Sequence, residues 1–409
     1  MLRYLKFIKR YDIIIRIIYF ERKYIPMKKA LALVLAVVML FTGSVMASAA
    51  DSPILRFDEN GEFTILHITD CQDVYPANQT MVQFINHAID KYDPDLVVLG
   101  GDNCVDDTGN IEAAITEIAK IFVEKETYFT LVFGNHDREG GRGENDVLLR
   151  YYQNAGGKYC LAYDAVPSLS GVGTHNLPIF SSKDLLKVAY NLYMFDSGTS
   201  GYTDANGNGG YECVWEDQVQ WFETVNSAYT LANGGKVIPS MAFQHIIVGE
   251  IMEALYKEKS EVALSLDSKF VNGKEYDTTM VNFSAIKDGF LLEAPCPGVE
   301  DSRQFEAMVE QGTVAVFSGH DHINTFTVNY QGVDIVNTPG CTFHSYGHAY
   351  NRGGRVITLH EGETEYDSEV LLLVEEAMEN SEIETDIFSK IFGILINRII
   401  TAFFDAFRG

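Results

Sequence analysis

Positive charge is scarce in this chain. Its 409 residues include 31 Lys and Arg against 57 Asp and Glu, and the formal net charge is −26 at pH 7. An acidic surface of this kind repels nucleic acid and anionic membranes, so nucleic acid is not an expected partner. An anionic substrate would need a local source of attraction, for example bound metal ions.

Closely spaced cysteines are also missing. The six cysteines are scattered from Cys71 to Cys341 without any Cys-x-x-Cys pair, which excludes zinc-finger-type sites. A chain of this size does not need disulfides to be stable. Cys71 and Cys104 both lie beside candidate site loops, so a bridge between them remains open in an oxidising compartment.

One long uncharged run is present, near the amino terminus. Lys28 and Lys29 precede an apolar stretch at 30–41 and a small-residue site, Ala47-Ser48-Ala49. This three-part layout predicts a cleaved secretory signal peptide from residue 27, although 30–50 is also long enough for a single transmembrane anchor. We therefore expect an extracytoplasmic or secreted protein, with surface association as an open option.

Three segments follow from this reading of the amino terminus. Residues 1–49 are an upstream extension plus the signal peptide, and they are excluded from reasoning about the fold. Residues 50–375 form the main domain. Residues 376–409 form a helical tail.

Strand-like and helical segments alternate through the first half of the main domain. Apolar strands are predicted at 63–69, 95–99 and 128–133, with helices at 77–91 and 111–123 between them. This β-α-β-α-β order predicts a sheet with right-handed crossovers, and the apolar strands are typical of buried ones.

The second half is less regular. The glycine-rich stretch 198–210 is expected to be an exposed loop, and 251–297 a surface insertion or lid. Three strands, at 326–330, 333–337 and 356–360, are predicted to form a meander that closes the sheet.

The carboxyl-terminal stretch 387–407 places apolar residues at helical spacing. Lys390, Arg398 and Asp405 interrupt it, so it is not expected to span a bilayer. An amphipathic helix packed on the domain is the first interpretation. Peripheral contact with a membrane is the alternative.

Polar side chains of the metal-binding type follow five predicted strands. The carboxyl ends of strands converge on one edge of a sheet, where open α/β sheets bind ligands. Oxygen and imidazole donors together suit Mn, Fe or Zn, and a carboxylate can bridge two such metals. The residues are Asp70, Asp102, Asn135 with His136, His245, and His320 with His322.

These motifs, in this order, resemble the calcineurin-like metallophosphoesterase superfamily from about Phe63 to Leu359. The segments "NLYMFDSG", "WEDQVQWF", "AFQHIIVGE" and "SYGHAYNRGGRVITL" resemble its purple-acid-phosphatase-like branch without a separate amino-terminal domain. The resemblance implies an α/β fold, in which a two-sheet β-sandwich is flanked by helices in four layers.

The resemblance also implies a centre of two divalent or trivalent transition-metal ions. The first metal would be held by Asp70, Gln72 and His322. The second would be held by Asn135, His245 and His320, with Asp102 bridging both.

The same resemblance implies how the centre works. A metal-bound hydroxide would attack the phosphorus of a small phosphoester, and His136 would stabilise the phosphoryl oxygens and protonate the leaving group. Asp102 would take part in catalysis as the bridging ligand. Arg138 and His344 are candidate substrate-binding residues, since arginine fits phosphate well.

Gln72 departs from the family pattern, which usually has His at this position. Its amide oxygen can still ligate a metal, but more weakly than imidazole. Two hypotheses follow: a secreted metal-dependent phosphoesterase with a looser first metal, or a non-catalytic extracytoplasmic binding protein whose first metal site is impaired. The retained His136 favours catalysis.

Overall fold

The computed structural model describes residues 53–105, 109–138, 145–259 and 267–408, apart from the side chains of residues 387 and 388. The predicted upstream segment and signal peptide, 1–49, lie outside these residues, and so does the glycine-rich turn at 140–143.

The described residues form seventeen strands. In chain order they are β1 Glu62–Ile68, β2 Leu96–Gly100, β3 Phe129–Val132, β4 His175–Phe180, β5 Val188–Met194, β6 Ser200–Thr203, β7 Gly209–Tyr211, β8 Ser240–Phe243, β9 Lys257–Glu258, β10 Ser268–Val271, β11 Lys274–Asp277, β12 Ile286–Asp288, β13 Thr313–Ser318, β14 Thr327–Tyr330, β15 Val333–Asn337, β16 Gly353–His360 and β17 Tyr366–Leu372.

Eight α-helices are present in the same described ranges. They are α1 Gln79–Tyr92, α2 Ile111–Glu124, α3 Asn145–Gly156, α4 Glu216–Ala232, α5 Ile251–Leu255, α6 Gln304–Gln311, α7 Leu373–Glu379 and α8 Ile387–Arg408. The start of α1 is fixed by Asn78, whose side chain accepts a hydrogen bond from the backbone N–H of Met81 at 3.1 Å.

Two large sheets make up the centre of the molecule. The first has the strand order β17-β16-β1-β2-β3, and the second has the order β12-β14-β15-β13-β8-β5-β4. Within the first sheet, β1, β2 and β3 run parallel. Within the second, β5, β8, β13 and β15 run parallel. Every residue of β2 is buried, as its unbroken apolar sequence predicts.

Three apolar layers hold the sheets and helices together. The inner faces of the two sheets meet through side chains such as Ile65, Leu192 and Phe317. Helices α1, α2 and α3 cover the outer face of the first sheet, and α4 and α6 cover that of the second. The predicted fold class, a two-sheet β-sandwich flanked by helices, is confirmed.

The predicted meander is wrong in its last strand. Strands β14 and β15 pair within the second sheet, but β16 pairs antiparallel with β1 in the first, where Val356 lies opposite Leu66. The chain therefore crosses between the sheets after β15. Strand patterning alone does not reveal this, because a buried strand is equally apolar in either sheet.

Two other expectations for the second half need correction. The segment predicted as an exposed loop contains the hairpin β6–β7, which is largely solvent-exposed and so shows no apolar alternation. The expected surface insertion begins with α5, whose Ile251, Met252 and Leu255 are fully buried. It continues as a small sheet of order β10-β11-β9.

The carboxyl-terminal segment is a docked helix. Phe404 of α8 is buried against Phe283 and Phe290, with ring centroids 5.4 and 6.2 Å away. The predicted start of the tail, residue 376, falls inside α7, so the domain boundaries remain a prediction. Among the described residues, no helix is long and apolar enough to cross a membrane.

A buried arginine ties the two sheets together. Arg355 of β16 is fully buried, and its Nη2 donates to the carbonyls of Thr325 and Asn337 at 2.9 and 3.1 Å, while Nη1 donates to Ser368 at 2.9 Å. Burial lowers the pKa of Arg355 to about 10, so the group is still charged at neutral pH. Its donors replace water for acceptors from both sheets.

We predict that Arg355→Ala destabilises the protein by roughly 3 kcal/mol, because buried acceptors lose charged donors. Urea unfolding followed by circular dichroism measures this change. Arg355→Lys, which keeps the charge but not the forked geometry, should fall between the two. A loss below about 1 kcal/mol for the alanine variant would contradict the role given to this side chain.

Candidate metal centre

Both sheets deliver polar side chains to the same end of the sandwich. In the first sheet, Asp70, Asp102 and Asn135 follow the carboxyl ends of the parallel strands β1, β2 and β3. In the second sheet, His245 follows β8, and His320 with His322 follows β13. The predicted convergence at one edge is thus a meeting of two edges, one from each sheet.

One group of ligand-type atoms surrounds Asp70. The Oδ1 atom of Asp70 lies 3.2 Å from Nε2 of His322 and 3.7 Å from Nε2 of His245. Asp70, Asp102 and His322 each offer an atom within 4.8 Å of the others, and all three residues are buried. These are three of the four residues predicted around the first metal.

A second group shares Asp102. Asp102, His245 and His320 bring ligand atoms within 4.8 Å of one another, and Oδ2 of Asp102 lies 3.1 Å from Nε2 of His245. Asp102 therefore belongs to both groups. This shared position is the one predicted for a bridging ligand, and its role as a ligand remains a prediction.

The residues fit a cation because several of their atoms are buried without a partner. Asp70 Oδ1, Asn135 Oδ1, His245 Nε2 and His320 Nε2 are inaccessible to solvent and make no hydrogen bond. Buried polar atoms are normally hydrogen-bonded, since leaving one unpaired costs about 1–3 kcal/mol. Carboxylate, amide and imidazole atoms gathered in this way can be satisfied by transition-metal ions.

Glycines in the strand-end loops make room for these side chains. A Cβ atom added to Gly134 would lie 2.2 Å from Oδ1 of Asp102, and one added to Gly101 would lie 2.6 Å from Nδ1 of His245. These distances are far below van der Waals contact. The glycines of the Gly-Asp and Gly-Asn-His motifs therefore stand where any other residue would displace a ligand-type side chain.

The ligand loops also hold the backbone in a costly conformation. Asp70, Gln72, Asp102 and His320 all have positive φ, between 41° and 71°. Non-glycine residues rarely adopt this left-handed region, and such strain clusters at functional sites. A hydrogen bond from the backbone N–H of Gln72 to the carbonyl of Asp102, at 2.7 Å, holds two of these turns together.

Backbone carbonyls orient two of the histidines. Nδ1 of His245 lies 2.9 Å from the carbonyl of Gly100, and Nδ1 of His322 lies 2.8 Å from that of Tyr346. Each Nδ1 therefore carries the proton and donates it to the carbonyl. In both rings this leaves Nε2 facing the carboxylates, which is the usual second-shell arrangement of a metal-binding histidine.

Opposite charges compensate one another inside the site. Burial alone would raise the pKa of Asp102, but the attraction of His245 and hydrogen bonds from His245 and His136 hold it well below its usual value. Burial alone would lower the pKa of His245, but Asp102 and Asp70 raise it to about 10. The two carboxylates thus form a strongly negative pocket that favours a cation.

Asp137 locks two ligand loops together. Its carboxylate accepts hydrogen bonds from the backbone N–H groups of Gly134 at 2.8 Å, Asn103 at 3.0 Å and Cys104 at 3.3 Å. It therefore ties the loop after β2 to the loop after β3. Cys71 and Cys104 are both free thiols, as are the other four cysteines, so the bridge left open by the sequence is not formed.

Gln72 is buried in the site but makes an unexpected contact. Its Nε2 donates a hydrogen bond to Oδ2 of Asp102 at 3.2 Å. The amide nitrogen therefore faces the shared carboxylate. The sequence predicted Gln72 as an oxygen ligand of the first metal, and this contact offers a different use of the same side chain.

His136 lies at the same place with a more accessible side chain. Its backbone N–H donates to Oδ1 of Asp102 at 2.7 Å, and the residue is only partly buried, unlike the ligand-type residues around it. It is thus positioned beside the shared carboxylate while still reaching the solvent side of the site.

The two predicted substrate-binding residues are both engaged by carboxylates. Nη2 of Arg138 donates to both oxygens of the buried Asp196, at 2.8 and 2.7 Å. Nε2 of His344 lies 3.1 Å from Oδ1 of Asp73, next to Gln72 in the chain. Both side chains keep about a third of their surface exposed, at 30% and 34%. Their contact with substrate remains a prediction.

Two tyrosines beside the site were not predicted from the sequence. Tyr346 stacks on His322 with ring centroids 4.1 Å apart and a 6° interplanar angle, and Tyr211 packs edge-on against His320 at 4.4 Å. Tyr346 stands 24 positions from His322, so no local spacing pattern could reveal the pair. The nearby aromatic run in "TFHSYGHAY" was the one available signal.

The fold and this site define a protein of the calcineurin-like phosphoesterase family. The family profile matches residues 63–324, and the chain belongs to this family. Within it, the chain falls in the purple-acid-phosphatase-like branch.

The curated relatives come from Arabidopsis thaliana. "Probable inactive purple acid phosphatase 14" is 26% identical over 345 residues, which cover 76% of this chain and 79% of the relative. "Probable inactive purple acid phosphatase 29" is 26% identical over 336 residues, 75% of this chain and 78% of the relative. Both relatives therefore match over most of their length, and both carry the word inactive in their names.

The glycine cradle gives a direct test of the ligand geometry. Gly134→Ala should weaken metal binding by roughly 10–100-fold, because its Cβ displaces the Asp102 carboxylate and the His245 ring. Isothermal titration with Mn²⁺ or Zn²⁺ measures the affinity.

Gly209→Ala is the matched control for this variant. A Cβ at Gly209 would meet no atom closer than 3.9 Å, so its metal affinity should equal that of the wild type. Equal affinity in the Gly134→Ala variant would show that Asp102 and His245 are not ligands.

Proposed function

We propose that this protein is a metal-dependent phosphoesterase with a dinuclear centre. The observation that carries the proposal is the pair of ligand-type groups that share Asp102 and contain buried atoms without a hydrogen-bond partner. Two cations at this separation are the arrangement used for phosphoryl chemistry. The family to which the chain belongs supports the same reaction class.

The donor set indicates which metals suit the site. Asp70, Asp102 and His322 would hold the first, and Asp102, Asn135, His245 and His320 the second. Mixed carboxylate, amide and imidazole donors favour Mn, Fe or Zn. When bound, such a pair supplies an activated water molecule and positive charge for the phosphoryl oxygens.

His136 is the side chain proposed to act on the substrate itself. Its backbone is tied to Asp102, and its ring is more accessible than those of the ligand-type histidines. An imidazole in that position can hydrogen-bond a phosphoryl oxygen and give its proton to the departing alkoxide. The buried residues around it hold the geometry, so little rearrangement is needed during the reaction.

The chain's charge narrows the substrate. With a net charge of −26, long nucleic acids are disfavoured and small phosphoesters are preferred. Arg138 and His344 remain the proposed contacts for the rest of the substrate. The signal-like segment at 27–49 supports an extracytoplasmic or secreted location as part of the proposal.

We predict that His136→Ala lowers kcat for a phosphomonoester or phosphodiester by roughly 10²–10⁴-fold, the usual loss of a general acid. Metal content should not change, because His136 is not one of the ligand-type residues. Steady-state kinetics on metal-loaded protein, with elemental analysis of each sample, measures both quantities.

His360→Ala is a suitable control for the His136 variant. His360 ends β16 on the far side of the sandwich and pairs with Asp367 at 2.9 Å, so activity should stay at the wild-type level. Hydrolysis that survives His136→Ala undiminished would remove His136 from the mechanism.

A second candidate function is favoured by one contact. Because Nε2 of Gln72 is bonded to Asp102, the first group is left with three ligand-type residues, while the second group has four. A protein of this fold with a weak first site could serve as a non-catalytic binding protein. The names of the Arabidopsis relatives are consistent with such a role for those proteins.

The unequal donor sets predict unequal metal affinities. Titration of the wild type should resolve two binding steps, and Gln72→His should strengthen only the weaker one, by on the order of tenfold, the scale of a single altered partner. Gln72→Ala, which removes the contact with Asp102 without adding a ligand, is the control. Two equal affinities that Gln72→His leaves unchanged would contradict this account of the first site.

A further inference from the structure

The helix α8 is apolar on two faces, and the domain covers only one of them. Six of its side chains are exposed by 45–61% of their surface: Ile391, Phe392, Leu395, Ile399, Phe403 and Phe407. We call this set the outer face of α8. A helix that is apolar nearly all round is normally buried, and a contiguous exposed apolar patch marks an interaction surface.

The inner face of α8 is fixed to the domain along its length. Near its start, Nζ of Lys390 donates to the carbonyl of Ala377 at 2.7 Å. In the middle, a Cβ on Gly393 would lie 3.1 Å from the Val374 side chain, so the two elements are in close contact. Near its end, Phe404 packs on Phe283, and Arg408 donates to the carbonyl of Gly289.

This anchoring means that the outer face is presented in a set orientation. The apolar arc runs from Ile391 to Phe407, sixteen residues or about 24 Å of helix at 1.5 Å per residue. Such a helix has the length and the one-sided apolar surface of those that lie in the plane of a bilayer interface.

The charge of α8 indicates which partner covers it. Within Ile387–Arg408 there are three basic residues, Lys390, Arg398 and Arg408, and one acidic residue, Asp405, in a chain whose net charge is −26. The sign of the charge is thus reversed on this one helix. A cationic apolar helix complements an anionic lipid surface.

The same charges argue against a second copy of this chain. Two outer faces in contact would bring like-charged helices together and would also bring two strongly acidic chains close to each other. Apolar burial favours both arrangements equally, so the electrostatic difference decides between them.

We propose that the outer face of α8 docks the protein on an anionic phospholipid surface without crossing it. The docked helix also lies close to the metal centre. The Cβ position of Gly393 is 3.4 Å from Cα of Tyr350, which belongs to the same loop as Tyr346, the ring stacked on His322. Membrane binding does not depend on activity, so this proposal can fail or succeed independently of the phosphoesterase.

Vesicle co-sedimentation tests the proposal directly. The expected mature chain, residues 50–409, contains every residue that the structure describes, and the full chain is measured beside it. Vesicles of equimolar phosphatidylcholine and phosphatidylglycerol should bind the mature chain, and vesicles of phosphatidylcholine alone should bind it less. No binding to either vesicle would overturn the proposal.

A matched pair of double variants locates the binding surface. Leu395→Glu with Ile399→Glu removes two exposed apolar side chains from the outer face and should lower partitioning by on the order of tenfold or more. Leu185→Glu with Leu186→Glu makes the same chemical change on the turn between β4 and β5, where these leucines are 50% and 94% exposed, and should bind as the wild type does. Equal loss in both variants, or in neither, contradicts docking through α8.

Two further measurements keep the test decisive. Ile399→Trp preserves the apolar face, and its fluorescence should shift to the blue on adding the anionic vesicles; no shift would overturn the proposal even if the glutamate variant failed to fold. Light scattering gives the oligomeric state. A dimer that the Leu395→Glu, Ile399→Glu variant converts to a monomer would show that a second copy covers this face.

Discussion

The Asp102 carboxylate is the point on which the whole site depends. It lies at the end of a fully buried strand, within 3.1 Å of His245, and it accepts hydrogen bonds from the backbone of His136 and the side chain of Gln72. These contacts come from loops after β2, β3, β8 and β1, so one carboxylate joins elements of both sheets. Removing it from water is costly unless positive charge compensates it.

This requirement explains features that otherwise look unrelated. The left-handed backbone at Asp70, Asp102 and His320 turns each side chain inward, and glycines at the neighbouring positions leave space for the rings. Asp137 then fixes the separation of two loops through three backbone N–H groups. Strain and unsatisfied atoms persist together here because the surrounding sandwich is rigid enough to hold them.

Local signals in the sequence were sufficient for much of this architecture. The βαβαβ order and the ligand-type motifs each lie within a short stretch of chain, so strand periodicity and the resemblance to a known family located them. The pairing of β16 with β1 depends on contacts between distant segments, and so does the stacking of Tyr346 on His322. Spacing in the sequence carries no information about such contacts.

The position of Gln72 shows the same limit on a finer scale. The sequence placed it correctly inside the site, but whether its amide oxygen or nitrogen faces the carboxylate depends on Asp102, thirty residues away. The hairpin β6–β7 is a further example, since its exposed strands lack the alternation that marks a half-buried sheet. In each case the deciding interaction is tertiary, whereas the available signal was local.

The central claim is that buried ligand-type atoms around Asp102 hold two metal ions, and elemental analysis tests it most directly. Residues 50–409 would be incubated separately with Mn, Fe and Zn, freed of unbound ions, and measured for metal per chain. The account predicts two ions per chain with at least one of these metals. One ion or none with all three would contradict a dinuclear centre and would favour the binding protein with an impaired first site.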